Sequence, residues 1–141
     1  MSDLEILFPM SVLAGWTLIV LLLIPYARFR AAFRGRVTAA DFRYGESDRV
    51  PADVSLPNRN MMNLLELPVL FYVACLALYV TGSVDAVSLY LAWAYVALRV
   101  AHSLVHLTYN SIVHRLSVFA ASNVVLILIW IRLTVTLIDR T

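Results

Sequence analysis

The sequence predicts an all-α integral membrane protein, a four-helix bundle running up-down-up-down. Two observations predict it. The 141 residues are 62% hydrophobic and 14% charged, with a mean hydropathy of +0.82, whereas an ordinary soluble domain carries roughly 25% charged residues. Four apolar stretches hold most of that hydrophobicity: 7–27 and 67–84 without a charge, 86–113 broken by Arg99, and 116–138 broken by Arg132. Each approaches or exceeds the ~20 residues that a helix needs to cross the hydrocarbon. Nucleic acid is not expected as a partner, whereas membrane lipids are.

Helix one is expected over about 4–33. Acidic Asp3 and Glu5 precede it where a secretory signal would have basic residues, so it reads as a retained membrane helix. Pro25 removes one backbone hydrogen bond near its end. The connection 34–56 mixes both signs of charge with Gly35, Gly45 and Pro51 and reads as a structured loop, longer than the usual helix–helix link. Helix two is expected from Pro57, which suits a first turn, to about 81, with Pro68 inside it freeing the carbonyl of Leu64. A short hairpin leads to helix three over about 85–110. A tight turn around Asn110–His114 then leads to helix four over about 114–139. Short links make successive helices antiparallel neighbours, within a single domain spanning 1–141.

All eleven basic residues are arginine, and Arg28, Arg30, Arg34, Arg36, Arg43 and Arg49 cluster at the end of helix one or in the first connection. The second connection, TGSVDA, has none, while Arg115 sits in the third. The positive-inside rule therefore places loop 34–56 and the 110–116 turn in the cytoplasm and both termini on the other side. The single cysteine, Cys75, permits no intrachain disulfide. Counted at 100° per residue from Arg59, it falls far from the polar residues of its own helix.

Those polar residues are organised. In NRNMMNLLELPVLFYV, residues 58–73, Arg59, Asn63 and Glu66 are spaced four and three apart, which puts them on one helical stripe. In LRVAHSLVHLTYN, Arg99, His102, His106 and Tyr109 form a second stripe. Glu66 lies roughly 12 Å from the start of helix two and Arg99 roughly 16 Å from the end of helix three. An unpaired charge at such depth costs at least ~2.5 kcal/mol, so a Glu66–Arg99 contact is predicted. Arg59, Asn63, His102, His106, Tyr109 and Arg115 remain on the cytoplasmic side, and Arg28 and Arg30 approach from helix one. This excess of guanidinium groups suits a small anion with several carboxylates. Snorkelling to anionic headgroups explains Arg28 and Arg30 equally well.

Neither metal nor haem is expected. Haem held by two histidines in a bundle needs ligands on facing helices, and all three histidines fall between 102 and 114. A zinc ion on His102 and His106 would have to recruit Glu66 or Tyr109 among arginines. Arg132 is expected to snorkel outward or to pair with Asp139, and Asn123 to bond across helices.

The chain resembles the MAPEG family, the membrane-associated proteins of eicosanoid and glutathione metabolism. Arg59-x3-Asn63-x2-Glu66-Leu67-Pro68 carries the resemblance, with Arg99-x2-His102-x3-His106 and Arg115, and ELPVLFYV is similar to bacterial members. It extends over essentially the whole chain. The resemblance implies a homotrimer in a bacterial inner membrane, with glutathione bound between neighbouring subunits near the cytoplasmic face. Arg59, Asn63 and Glu66 would hold the peptide's charged and amide groups, His102 and His106 would line the site, and Arg115 would be the catalytic residue that stabilises the thiolate. Arg28 or Arg30 matches a family arginine, and Arg99 and Tyr109 complete the expected glutathione site. The chain departs from the eicosanoid enzymes at His106, where they carry a tyrosine, and at Leu116 and Phe119, where some carry serine and tyrosine.

The expected function is a glutathione-dependent enzyme of transferase or peroxidase type, acting on a hydrophobic electrophile from the bilayer. A non-catalytic binding or scaffolding protein of the same fold is the alternative. A small exporter is a third reading, but it would need an exposed carboxylate near the bilayer centre, and the Glu66–Arg99 pairing argues against one.

Overall fold

The computed structural model describes residues 2–140, and every named element among them is a helix. A short 3-10 turn, Asp3–Ile6, leads into α1, Leu7–Phe33, which passes through Pro25 without interruption. After a folded loop come α2, Ala52–Leu65, and α3, Pro68–Val80. The bundle is completed by α4, Ala86–Leu107, and α5, Ile112–Ile138. By length and composition four segments can cross a membrane: Asp3–Phe33, Ala52–Val80, Ala86–Leu107 and Ile112–Ile138. These agree with the four expected crossings. Their outward faces carry Leu18, Leu22, Val73, Ile127 and Ile131 in exposed positions, as a lipid-facing surface requires.

The second crossing differs from expectation at both ends of its polar half. It begins at Ala52 rather than Pro57, because Val54 is buried against Ala31, Val37 and Val50, which anchors the extra turn to the end of α1. It is also two helices rather than one. Pro68 has no N–H and opens a new helix at its first position, while Glu66 at the junction leaves the helical region at φ −77, ψ −92. The break matters because the hydrocarbon offers no water to satisfy freed carbonyls.

Termini of the crossings follow local chemistry. At the end of α3, Gly82 adopts φ +58, its N–H reaches the Tyr79 carbonyl at 3.1 Å, and the Ser83 N–H reaches that of Leu78 at 2.9 Å. This is the paired closure that a left-handed residue after a helix provides. Gly35, at φ +66, closes α1 through equivalent bonds from Gly35 and Arg36 to Ala32 and Ala31. Asp85 caps α4 by accepting from the Ser88 N–H at 2.7 Å.

One core joins the helices. Leu13 and Val20 of α1, Phe71 and Leu78 of α3, Tyr95 of α4 and Ile129 of α5 are buried together, with Phe71 stacked on Tyr95 at 4.6 Å between centroids. Cys75 is sealed in this core. The end that carries the chain termini is clasped by polar contacts. Asp3 accepts from the Val84 N–H at 3.2 Å, and Arg140 donates to the carbonyls of Thr81 and Gly82. Arg132 donates through Nε to Asp85 at 3.0 Å and through Nη2 to the same carboxylate. It therefore pairs with Asp85 rather than with Asp139, since α4 and α5 are antiparallel and the cap of one lies level with the last turns of the other. Asn123 does not bond across helices as expected, and its buried Oδ1 has no protein partner.

At the opposite end the loop between α1 and α2 is folded. Asp41 is buried there and accepts from the Thr38 N–H at 2.8 Å, the Thr38 hydroxyl at 2.9 Å and the Ser47 hydroxyl at 3.0 Å. Those bonds, the backbone one first, hold its carboxyl below the ordinary value. Arg132, followed by the Ser88 bonds, does the same for Asp85.

Both aspartates contribute stability that is complete above the ordinary carboxylate value of 3.8 and is lost as pH falls through their depressed folded values. Thermal unfolding in detergent should therefore be flat from about pH 7 to 5 and fall below about pH 4. Asp85→Asn keeps a capping oxygen and loses the ion pair, whereas Asp85→Ala loses both. Alanine should be the worse by about 1 kcal/mol, and equal unfolding temperatures for the two variants would exclude the cap.

Candidate functional site

Three helical stripes converge at the end of the bundle that holds the folded loop. From α2 come Leu56, Arg59 and Asn63, spaced three and four; from α4 come His102 and His106; from α5 come Arg115, Leu116 and Phe119. With Asn110 from the intervening turn and Ile112 at the start of α5 they enclose a cleft of about 400 Å³, within the roughly 300–1,000 Å³ typical of small-molecule sites. Two guanidinium groups line it and no carboxylate does, so the cleft is cationic.

The side chains are held in place from behind. Arg115 donates from Nη1 to the Asn110 Oδ1 at 2.8 Å. Asn110 has φ +46, a left-handed conformation that asparagine tolerates better than most residues, so the shape of the turn sets the position of the guanidinium. Asn63 donates from Nδ2 to the Arg59 carbonyl at 3.0 Å. The rings of His102 and His106 meet at 6.1 Å and 61°, and His102 lies 5.6 Å from Phe119. The Nδ1 atoms of both histidines are buried and meet no protein hydrogen-bond partner.

Arg99 lies behind this wall and is fully buried. Its Cζ sits 5.6 Å from the Phe119 ring centroid. The expected contact with Glu66 is absent among the described residues: Arg99 instead donates from Nη2 to the backbone carbonyl of Asn63. The helix break is the cause. It carries the Leu67 N–H away from the Asn63 carbonyl, which then needs another donor, and it leaves Glu66 exposed and acting on Arg99 only at a distance. A neighbouring polar contact joins the Nδ2 of Asn60 to the hydroxyl of Ser103, both buried.

Of the expected site residues, Arg59, Asn63, His102, His106 and Arg115 share the cleft. Arg99 lies behind them, and the other four do not join them within one chain. Glu66 faces outward; Tyr109 is exposed and meets His114 Nδ1 at 3.1 Å through its hydroxyl. Arg28 is turned to the loop, 3.1 Å from Glu46 and over the ring of Phe42 at 4.5 Å. Arg30 lines a separate cleft with Arg34, Arg36 and Asp53. The placement of Arg28 and Arg30 reflects the helix they sit on, since α1 contributes nothing to the lining of the cationic cleft. Asn110 is the residue that sequence reasoning missed. Its signal was an asparagine in a tight turn five residues before a singled-out arginine.

A model described as the MAPEG family matches residues 6–135, nearly the whole chain. The chain belongs to the MAPEG family. No curated protein and no solved structure matches it. Membership accords with four membrane-crossing helices and covers the three stripes that build the cleft. Glutathione-dependent enzymes and non-catalytic proteins both occur among MAPEG members, so membership fixes the fold and leaves the chemistry to the cleft.

Glu66 and Arg99 share no hydrogen bond, so their effects on stability should add. A cycle of Glu66→Gln, Arg99→Gln and the double variant, read by thermal unfolding, should show coupling below about 0.5 kcal/mol. Coupling of several times that would restore the ion pair.

Proposed function

We propose that this protein is a glutathione-dependent membrane enzyme that conjugates or reduces a hydrophobic electrophile drawn from the bilayer, acting as a homotrimer with its cleft open to the cytoplasm of a bacterial cell. The observation that carries this reading is a cationic cleft whose lining includes Arg115, fixed by Asn110, and no hydroxyl or thiol side chain. Such a cleft can stabilise an anionic nucleophile but supplies no hydroxyl or thiol of its own. A thiol brought by the ligand meets that need.

Arg59 and Arg115 provide the positive field that a tripeptide with two carboxylates requires, and the amide of Asn63 offers both a donor and an acceptor. A guanidinium beside the sulfur lowers the thiol's pKa and cannot itself give up a proton at neutral pH. With Arg115 in that role, the proton leaves to water and the thiolate attacks the electrophilic carbon, forming the carbon–sulfur bond as a leaving group departs with its electron pair. At an activated double bond, the π pair instead moves to the adjoining carbon, which takes a proton from water. For a peroxide, the thiolate attacks the distal oxygen, the O–O bond breaks and the alcohol leaves after taking a proton. The glutathione sulfenic acid then condenses with a second glutathione, giving the disulfide and water. His102 and His106 line the wall and position the ligand. Glu66, exposed on one chain, is available to the peptide's ammonium group, and Arg28 to a carboxylate across a subunit boundary.

The electrophile has a route. One turn beyond Asn63 and Phe119, Leu67 and Asn123 begin an apolar groove of about 560 Å³ that continues along α3 and α5 to Trp130 and Val135. Its open side faces where lipid lies. An amphipathic substrate can therefore rest its tail in the groove with its reactive end at the cleft.

A second reading, a binding module without turnover, has one observation in its favour. Leu116 and Phe119 flank Arg115 with no hydroxyl to protonate a leaving group.

Millimolar glutathione should raise the unfolding temperature of the purified protein and generate a thiolate absorbance that Arg115→Ala abolishes. Turnover of a hydrophobic electrophile should fall roughly 100-fold in Arg115→Ala and about ten-fold in Asn110→Ala, which frees the guanidinium. Binding without turnover across conjugation acceptors and peroxides would favour the module. No stabilisation by glutathione would remove both readings.

A further inference from the structure

The end of α1 presents a second cationic cleft that the proposed chemistry does not use. Tyr26, Arg30 and Arg34 stand one turn apart on the helix, and with Arg36, Asp53 and Val54 they enclose about 180 Å³. Asp53 is engaged by Arg36, which donates from Nη1 at 2.9 Å and from Nη2 at 2.7 Å. Arg30 and Arg34 are exposed and make no hydrogen bond or ion pair among the described residues. Three guanidinium groups against one carboxylate leave the cluster with two positive charges. It sits where a membrane-crossing helix ends, at Phe33.

We propose that Arg30 and Arg34 form a site for the phosphodiester headgroup of an anionic phospholipid. A guanidinium fork matches two phosphate oxygens, and the volume suits a phosphate rather than a larger ligand. A dissolved phosphate would satisfy the same charges. The surroundings favour the lipid: a contiguous shallow cleft joins Arg30 and Arg34 to Tyr26, Phe29 and Phe33, and the two phenylalanines are 64% and 89% exposed. Tyr26, an exposed ring with a polar end, belongs at the headgroup level of a bilayer, where one side is apolar and the other wet, and the exposed phenylalanines add apolar surface beside it. The rings then meet the upper acyl chain while the arginines hold the phosphate. This site is independent of the glutathione reading.

The test uses the full chain purified in a neutral detergent, with phosphatidylglycerol or phosphatidylcholine added and bound lipid counted by native mass spectrometry. The wild type should retain phosphatidylglycerol in preference. That preference should fall about five-fold in Arg30→Gln or Arg34→Gln and roughly 25-fold in the double variant, as expected for two arginines near an anionic lipid. Arg43→Gln, an exposed loop arginine outside the cleft, should change it less than two-fold. Unfolding temperatures of all variants in phosphatidylcholine should match the wild type, which separates loss of the site from loss of the fold. An equal loss in Arg43→Gln would mean diffuse charge and overturn the site. So would unchanged lipid retention in the double variant, or displacement of the lipid by millimolar inorganic phosphate.

Discussion

The constraint on which the structure turns is the saturation of one peptide carbonyl inside the membrane. A crossing helix that breaks at depth exposes backbone acceptors to a solvent that cannot bond to them, and this chain breaks between Leu65 and Pro68. Arg99 answers the break from α4 by donating to the Asn63 carbonyl. A fully buried guanidinium is costly unless it is bonded; the freed Asn63 carbonyl satisfies Nη2 of Arg99, while its buried Nε and Nη1 meet no protein partner among the described residues. The arrangement fixes α2 against α4 at the level where the cleft begins. Arg59, Asn63, His102 and His106 then fall on facing stripes.

The cleft is thus a by-product of a repair. Once α2 and α4 are locked at Asn63, the helical period alone carries Arg59 and His106 to the mouth, and a single tight turn returns the chain with Arg115 on the third wall. The turn is itself committed: Asn110 uses its backbone to reverse the chain and its side chain to hold Arg115. Fold and chemistry share those atoms. The clasp at the other end, through Asp3, Asp85, Arg132 and Arg140, involves none of the cleft residues.

What could be read in the sequence was periodic. Stripes at 59, 63 and 99, 102, 106 follow from 3.6 residues per turn, and the four crossings follow from hydropathy. Equal depth brings Arg99 to the right level on the right neighbour, but its partner is a main-chain oxygen freed by a break rather than a side chain. Pro68 announces a disturbance without saying which way Glu66 will turn. Arg132 shows the same limit, since Asp139 is close along the chain while Asp85 is close in space. Arg28 and Arg30 approach a common depth along the sequence. Two residues apart on α1, they point to different surroundings, one toward Glu46 and Phe42 and the other toward Asp53.

Cys75 lies at zero exposure between the helices, and it is the sole thiol of the chain. Molecules that alkylate or oxidise sulfur and dissolve in the bilayer would pass over a surface that offers them no cysteine. In the proposed enzyme, such compounds would find no accessible thiol of the protein to modify while they are handled.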